Sequence, residues 1–510
     1  MTIDLEKVKN IYFIGIGGIA MSATAAIAKG LGFTVLGSDS AQIYPPSSDV
    51  LKQAGIEYFS GYSLEQVKGS QADLFVISAG ENKNNPEVEY VYSKNLPHVG
   101  LAELMYHFAQ KQLRVVVAGT HGKTTTSGLM GYLLKNLDDS SFMVGGVLQN
   151  TTANFYLGQG HYFVFEGDEY KEGFDDPTPK FQYYHPDILV LTNLEFDHPD
   201  MFADFAAMEA EFSELIDKMP EDGLIVYNAD NADLAKLVHR SNISSVSYAI
   251  DNEADFKVKN IQYGEFTQHQ FLLGSSNELE KKSYTTQSKI GAGYTKFEVI
   301  NKFSTDSTAK LLGLSEHYQI QLPGKINVYN ALACIAALRS LGFAKEQLTL
   351  DLLAFKGIKR RFEVVGVKNG ITIIDDYAHH PTAVRETLDA AKLKYPQSKI
   401  WAVFEPHTFS RTKATLPDLA KSFDSADEVL ISEIYPARES AKDATITSQD
   451  VIDAIKEHNT KYKIRNTLRF VKDKAQALDI LRDGLKPSDV VIIMAVGGFN
   501  RLAYDLKESL

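Results

Sequence analysis

The residues best equipped for chemistry lie where Val115-Val116-Val117-Ala118 runs into Gly119-Thr120-His121-Gly122-Lys123-Thr124-Thr125-Thr126-Ser127. An apolar β-branched run, two glycines, a lysine and hydroxyls, then a helix-compatible Gly128-Leu129-Met130, describe a strand, loop and helix that cradle phosphate. Gly119 and Gly122 let backbone N–H groups close around phosphate oxygens, with Thr120 and Thr125 in the same loop. Lys123 can neutralise β/γ charge, and the Thr124 hydroxyl can sit on Mg²⁺. ATP with Mg²⁺ is the natural ligand. The general pattern places a glycine five residues before Gly122; Val117 stands there, so the loop is a shortened form.

Two acidic clusters follow apolar runs. Tyr162-Phe163-Val164-Phe165 leads into Glu166-Gly167-Asp168-Glu169, and Ile188 to Asn193 leads into Leu194-Glu195-Phe196-Asp197-His198. In an α/β sheet the carboxyl ends of strands converge on the ligand crevice, so both clusters are expected to face the phosphate loop. Thr124, Glu166 and His198 are the candidate metal ligands, suited to one or two Mg²⁺ ions.

Near the start, Ile11 to Ile14 precedes Gly15-Ile16-Gly17-Gly18 and an Ala-rich helix through about Lys29. A second strand ends at Ser38-Asp39, with Asp39 lying 21 residues past Gly18. That spacing suits a carboxylate reaching the ribose of a nucleotide whose diphosphate sits on the helix N-terminus. A dinucleotide fingerprint wants a third glycine near Ala20; its absence disfavours nicotinamide but permits a nucleoside diphosphate. Farther on, Asp375-Asp376-Tyr377-Ala378-His379-His380-Pro381 and Glu405-Pro406-His407-Thr408-Phe409-Ser410-Arg411 each follow a strand, and Arg360-Arg361 precede both. An arginine aimed at a γ-phosphate would stabilise charge developing during phosphoryl transfer.

The elements that must position these groups alternate strand and helix, which predicts an α/β chain. At 510 residues, about three domains are expected. They are a Rossmann-like N-terminal domain over 1–108, a central P-loop ATP-binding domain over 109–323, and a Rossmann-like C-terminal domain over 324–510. The C-terminal strands, Ile371–Asp375, Lys399–Phe404, Glu428–Ser432 and Asp489–Met494, predict a third parallel sheet. The polar stretch 250–312 reads as a β-rich insertion. A formal charge of −13 argues against nucleic-acid or anionic-membrane partners, which need a basic face. No apolar run of membrane-spanning length occurs, the start lacks a signal-peptide pattern, and the one cysteine, Cys334, reads as a small buried residue. A cytoplasmic protein is expected, as monomer or homodimer.

Together these stretches resemble the Mur ligases, ATP-dependent amide-forming enzymes of peptidoglycan precursor synthesis. The resemblance spans nearly the whole chain and includes Asn327 with Asn330. It implies that Lys123 and Thr124 bind ATP phosphates and Mg²⁺, and that Glu166 and His198 serve metal. Asn330 would meet the adenine, Asp375 the ribose, and Arg361 the γ-phosphate. Gly15, Gly17 and Gly18 would hold the UDP diphosphate of UDP-N-acetylmuramate, beside Ser38 and Asp39. Tyr377, His379, His407 and Arg411 would line the amine site, and Lys123, Glu166, His198, Arg361 and His379 would carry the catalysis. Gly15 to Ser22 and Asp375 to Pro381 are similar to the branch that takes L-alanine, whereas Pro179 to Pro186 is similar to the branch that takes a murein tripeptide. The C-terminal domain should decide the amine, which favours L-alanine.

Overall fold

A computed structural model describes residues 3–197, 199, 201–264, 294–302, 315–437, 439–440, 442 and 444–510. The chain forms two compact units: Met1–Lys257 with Tyr329–Asp351 and Gly357–Lys359, and Val258–Val328 with Leu352–Lys356 and Arg360–Leu510.

The first unit opens with five parallel strands: β1 (Asn10–Ile14), β2 (Thr34–Asp39), β3 (Glu57–Ser60), β4 (Leu74–Ile77) and β5 (His98–Val99). Their order is β3-β2-β1-β4-β5, so the winding reverses between β1 and β4, where α/β sheets open a ligand crevice. The helix Ile19–Gly30 follows β1 and is buried from Met21 to Ala28. Its alanines allow that closeness, because small side chains bring helix and sheet backbones together without voids.

A second sheet in this unit holds β6 (Leu113–Ala118), β7 (Ser141–Met143), β8 (Phe155–Tyr156), β9 (Tyr162–Glu166), β10 (Ile188–Leu191), β11 (Leu224–Asn228) and β12 (Ser244–Ala249). The order β12-β11-β10-β6-β9-β7-β8 puts β6 between β10 and β9. Val115 to Ala118 are at most 1% exposed, as a continuous apolar run covered on both faces must be. Register then fixes the chemistry: Leu191 pairs with Ala118 and Val117 with Glu166, so both acidic strand ends flank the loop after β6. The chain leaves the unit within β13 (Phe256–Gly264), whose Phe256 and Lys257 pair with Tyr248 and Ala249.

In the second unit β14 (Tyr294–Asn301) pairs antiparallel with β15 (Glu316–Ile320). The expected β-rich insertion is thus seen in part; residues 265–293 and 303–314 lie outside the described residues. The last sheet contains β16 (Glu363–Lys368), β17 (Ile371–Asp376), β18 (Ile400–Phe404), β19 (Glu428–Ser432), β20 (Thr467–Val471) and β21 (Val490–Met494), ordered β16-β17-β21-β18-β19-β20. Five strands are parallel, but β16 runs antiparallel to β17. The cause is local: Asn369 and Gly370 have φ of 50° and 78°, the two-residue turn that matches the twist of a hairpin. Among the described residues, no helix is long and apolar enough to cross a membrane.

Candidate functional site

The loop after β6 is held by the end of β10. Thr120 N–H donates to Asn193 O (3.0 Å), His121 N–H to Asn193 Oδ1 (2.8 Å), and Asn193 Nδ2 to His121 O (3.0 Å). Thr120 Oγ1 donates to Glu195 O at 2.8 Å. Only a residue without a side chain fits at the pivot. Gly119 has φ of 126°, and a Cβ there would lie 2.3 Å from Thr192 Oγ1 and 2.7 Å from Asn193 O. Gly122, at φ 82°, then caps the helix Lys123–Asp138 without a side-chain hydrogen bond. The first N–H groups of that helix therefore face outward with the positive end of its dipole, an anion site by construction.

The cationic and acidic groups meet on this helix start. Lys123 Nζ donates to Gly119 O (2.6 Å), Thr120 O (3.0 Å) and Glu169 Oε1 (2.7 Å). Thr124 Oγ1 donates to Glu166 Oε1 at 2.7 Å, and Gly145 N–H donates to Glu166 Oε2 at the same distance. A hydroxyl beside a carboxylate is the hard oxygen donor set that Mg²⁺ takes, and the uncapped helix with Lys123 suits a phosphate chain, so these residues fit both groups. Thr125 is buried, and Asn330 comes to the same loop: its Oδ1 accepts from Thr126 Oγ1 at 3.1 Å, and a Cβ on Gly122 would sit 2.5 Å from it. His198 lies outside the described residues.

Glu169 is the member of this cluster whose partner the sequence did not give. It is 2% exposed, and burial pushes its carboxyl up to about 7, outweighing the pull of Lys123. A carboxyl so placed changes charge near neutrality while touching Lys123. Cys334 behaves as expected: it is buried, its Sγ lies 3.4 Å from Thr126 O, and burial raises its thiol pKa.

At the carboxyl ends of β1 and β2 a second group of expected residues converges. Gly15 and Ile16 N–H groups donate to Ser38 O (2.9 and 3.0 Å), and Gly17 N–H donates to Asp39 Oδ2 at 2.8 Å. A Cβ on Gly17 would lie 2.7 Å from that same oxygen, so a side chain there would displace the Asp39 carboxylate. Gly18 caps the following helix, again without a side-chain bond. Ser38 holds the turn by its backbone, because its hydroxyl is spent on Glu87 at 2.5 Å. Glu87 is fully buried and also accepts from Ser63 N–H (2.9 Å). Its only trace in the sequence is the helix-opening Asn85-Pro86-Glu87.

In the second unit the strand-end residues form one aromatic and cationic group. Arg360 and Arg361 lie over the Tyr377 ring at 4.9 and 5.0 Å, and Tyr377 meets His379 edge-on at 5.4 Å. His379 packs against His407 at 5.4 Å, and His407 Nδ1 is 3.0 Å from Arg411 Nη1. Thr408 opens the helix Phe409–Leu419 at φ 59°, and Glu439 steadies that start by accepting Ser410 N–H at 3.2 Å. Asp375 is fully buried, with Arg360 Nε at 3.7 Å; burial, partly offset by Arg360, pushes its carboxyl up to about 7. Tyr435, bridged to His407, was absent from the expected site residues.

Comparison with known proteins gives the family. Residues 10–112 match the Mur ligase family catalytic domain, 117–338 the Mur ligase middle domain, and 360–497 the Mur ligase glutamate ligase domain. A UDP-N-acetylmuramate–L-alanine ligase of Caldanaerobacter subterraneus is 35% identical over 98% of this chain and 97% of its own. Among solved structures, a UDP-N-acetylmuramate–alanine ligase from Thermotoga maritima superposes with a TM-score of 0.74 at 22% identity, covering 98% of this chain and 99% of its own. A murein peptide ligase from Psychrobacter arcticus gives 0.66 at 27% identity, with 97% of each chain covered. With its phosphate loop, paired acidic strand ends and full-length relatives, the chain belongs to the Mur ligase family.

Proposed function

We propose that this chain is an ATP-dependent ligase that joins L-alanine to the lactyl carboxylate of UDP-N-acetylmuramate in peptidoglycan precursor synthesis, in the cytoplasm. The observation that carries the reading is the meeting of Lys123 with the Thr124–Glu166 pair at an uncapped helix start, in a chain similar over its whole length to ligases of that name. In this reading residues 1–108 hold the sugar nucleotide through Gly15, Gly17, Gly18, Ser38 and Asp39. Residues 109–323 hold ATP, with Asn330 toward the adenine, and 324–510 receive the amino acid through Tyr377, His379, His407 and Arg411. Asp375 and Arg361 serve the ribose and the γ-phosphate.

Amide formation from a carboxylate and an amine needs a leaving group better than hydroxide. The lactyl carboxylate takes the γ-phosphoryl group to become an acyl phosphate, the amine of L-alanine attacks the acyl carbon, and the tetrahedral oxyanion collapses to expel phosphate. Lys123 exchanges Glu169 for phosphate oxygens, and the helix N–H groups hold the β/γ region. Thr124, Glu166 and His198 would hold Mg²⁺, which when bound supplies charge neutralisation between the two anionic reactants. Purified protein is mixed with UDP-N-acetylmuramate, ATP, Mg²⁺ and either L-alanine or murein tripeptide, and ADP release is followed. Turnover with L-alanine supports the proposal; turnover with the tripeptide alone moves the chain to the recycling reaction, and no ADP release with either amine overturns it.

A further inference from the structure

Asn330 reaches the phosphate loop from 204 residues beyond Thr126, its hydrogen-bond partner there, so chain order does nothing to set where its amide stands. Tyr329 and Asn330 open the part of the helix Lys325–Ser340 that belongs to the first unit. Successive helical side chains diverge by about 100°, so these two leave the helix in different directions. The Asn330 amide turns to the loop, where its Oδ1 accepts from Thr126 Oγ1 and fills the space a Cβ on Gly122 would need. The Tyr329 hydroxyl goes to Asp230, just past the end of β11, and donates to its Oδ2 at 2.7 Å. Such a bond ordinarily does no more than pin a helix to a sheet. Here the pinned residue adjoins the one assigned to the adenine.

Asp230 is a fixed point. Its Oδ2 also accepts the N–H groups of Ile250 (2.7 Å) and Asp251 (3.0 Å), and its Oδ1 accepts that of Asn252 (2.6 Å). Three consecutive backbone donors from the segment after β12 leave the carboxylate no freedom to follow a moving tyrosine, and bonds to an ionised acceptor are the strong kind. The residues beside Asp230 tie the same turn to the support of the phosphate loop. Asn228 Nδ2 donates to Thr192 O and Asn231 Nδ2 to Leu194 O, both at 3.0 Å. Between those two carbonyls lies Asn193, whose amide holds His121. The connections therefore run from the loop through Asn193 and its neighbours to Asp230, Tyr329 and Asn330, and return to the helix Lys123–Asp138 at Thr126.

We propose that Tyr329 and Asp230 are positioning residues for the adenosine half of ATP, an inference that rests on the assignment of Asn330 to the adenine. They act through Asn330 by fixing its place relative to Lys123, so that the site matches a base joined to a phosphate chain. A binding contact must be held to within about 0.5 Å, which a helix start does not achieve without a rigid anchor. Calorimetry with Mg²⁺ present measures the binding of ADP and, separately, of inorganic tripolyphosphate to the full-length protein and to Tyr329→Phe, which removes only the hydroxyl. The expected result is ADP binding about tenfold weaker, with tripolyphosphate binding within about twofold of the native protein. In turnover the KM for ATP should rise by the same factor, while kcat and the KM for UDP-N-acetylmuramate stay near native. Asp230→Asn should show the same split and supplies the reading if Tyr329→Phe does not fold. Tyr227→Phe, which removes a hydroxyl 3.1 Å from His239 Nε2 on β11, is the control for a purely structural hydroxyl and should bind both ligands as the native protein does. Unchanged ADP affinity in both variants, tripolyphosphate weakened as much as ADP, or the same loss in Tyr227→Phe would overturn the proposal and leave the ligase reading in place. A native protein that does not bind ADP would overturn the nucleotide reading and the proposal with it.

Discussion

Replacing Gly119 by alanine tests the loop geometry at its pivot. The new Cβ would meet Thr192 Oγ1 at 2.3 Å, Asn193 O at 2.7 Å and Asn193 N at 2.9 Å. Two of those atoms are backbone of a residue tied to the loop by three hydrogen bonds, so they cannot retreat without releasing Thr120 and His121. Adopting a positive φ costs an alanine about 1–2 kcal/mol, and the overlap adds about 1–3 kcal/mol. The sum, about 2–5 kcal/mol, is a large share of a typical stability of about 5–15 kcal/mol. Gly55 supplies the control: its φ is 63°, and a Cβ there meets nothing within 4 Å, so Gly55→Ala should cost only the backbone part, about 1–2 kcal/mol. Urea unfolding followed by circular dichroism measures both variants, and calorimetry with ADP measures the loop. Gly119→Ala should be the less stable by about 1–3 kcal/mol and bind ADP at least about tenfold more weakly. Equal stability of the two variants, with native ADP affinity in Gly119→Ala, would refute the reasoning.

Other expectations follow from the same geometry. Lys123→Met should lower ADP release roughly 100- to 1,000-fold while the circular dichroism spectrum stays native, since it removes the positive charge at the helix start; a loss under about tenfold would remove Lys123 from the chemistry. In the proposed reading the Arg411 guanidinium meets the L-alanine carboxylate, so Arg411→Lys, which replaces a planar fork by a point charge, should raise the KM for L-alanine about 10- to 100-fold with a smaller effect on kcat; an unchanged KM would place the carboxylate elsewhere. Glu169 carries a folded-state pKa of about 7 against 4.5 for a free carboxyl, so its stabilising contribution is complete below the lower value and lost as pH rises through the higher. Glu169→Gln should therefore flatten the fall in stability between about pH 5 and 8, read from denaturation midpoints across that range; an unaltered slope would show the carboxyl to be ionised throughout.

The sequence by itself determined what depends on neighbours along the chain. Val115 to Ala118 had to be a doubly covered strand, the glycines after it had to turn, and the Ala-rich run after Gly18 had to be a buried helix. The expectation of a parallel third sheet passed over the Asn369–Gly370 turn, the signal for a hairpin, and so missed the antiparallel edge strand β16. Tertiary structure decided the rest, because chain order carries no information about which strands lie side by side. Only the order β10-β6-β9 brings Glu166 to Thr124, 42 residues away, and Glu169 to Lys123, 46 away. The pairings of Ser38 with Glu87 and of Glu172 with the start of the Leu101–Phe108 helix are of the same kind. Each is a buried carboxylate whose partner is chosen by packing, since a charge taken out of water must find its donor among whatever the fold places beside it.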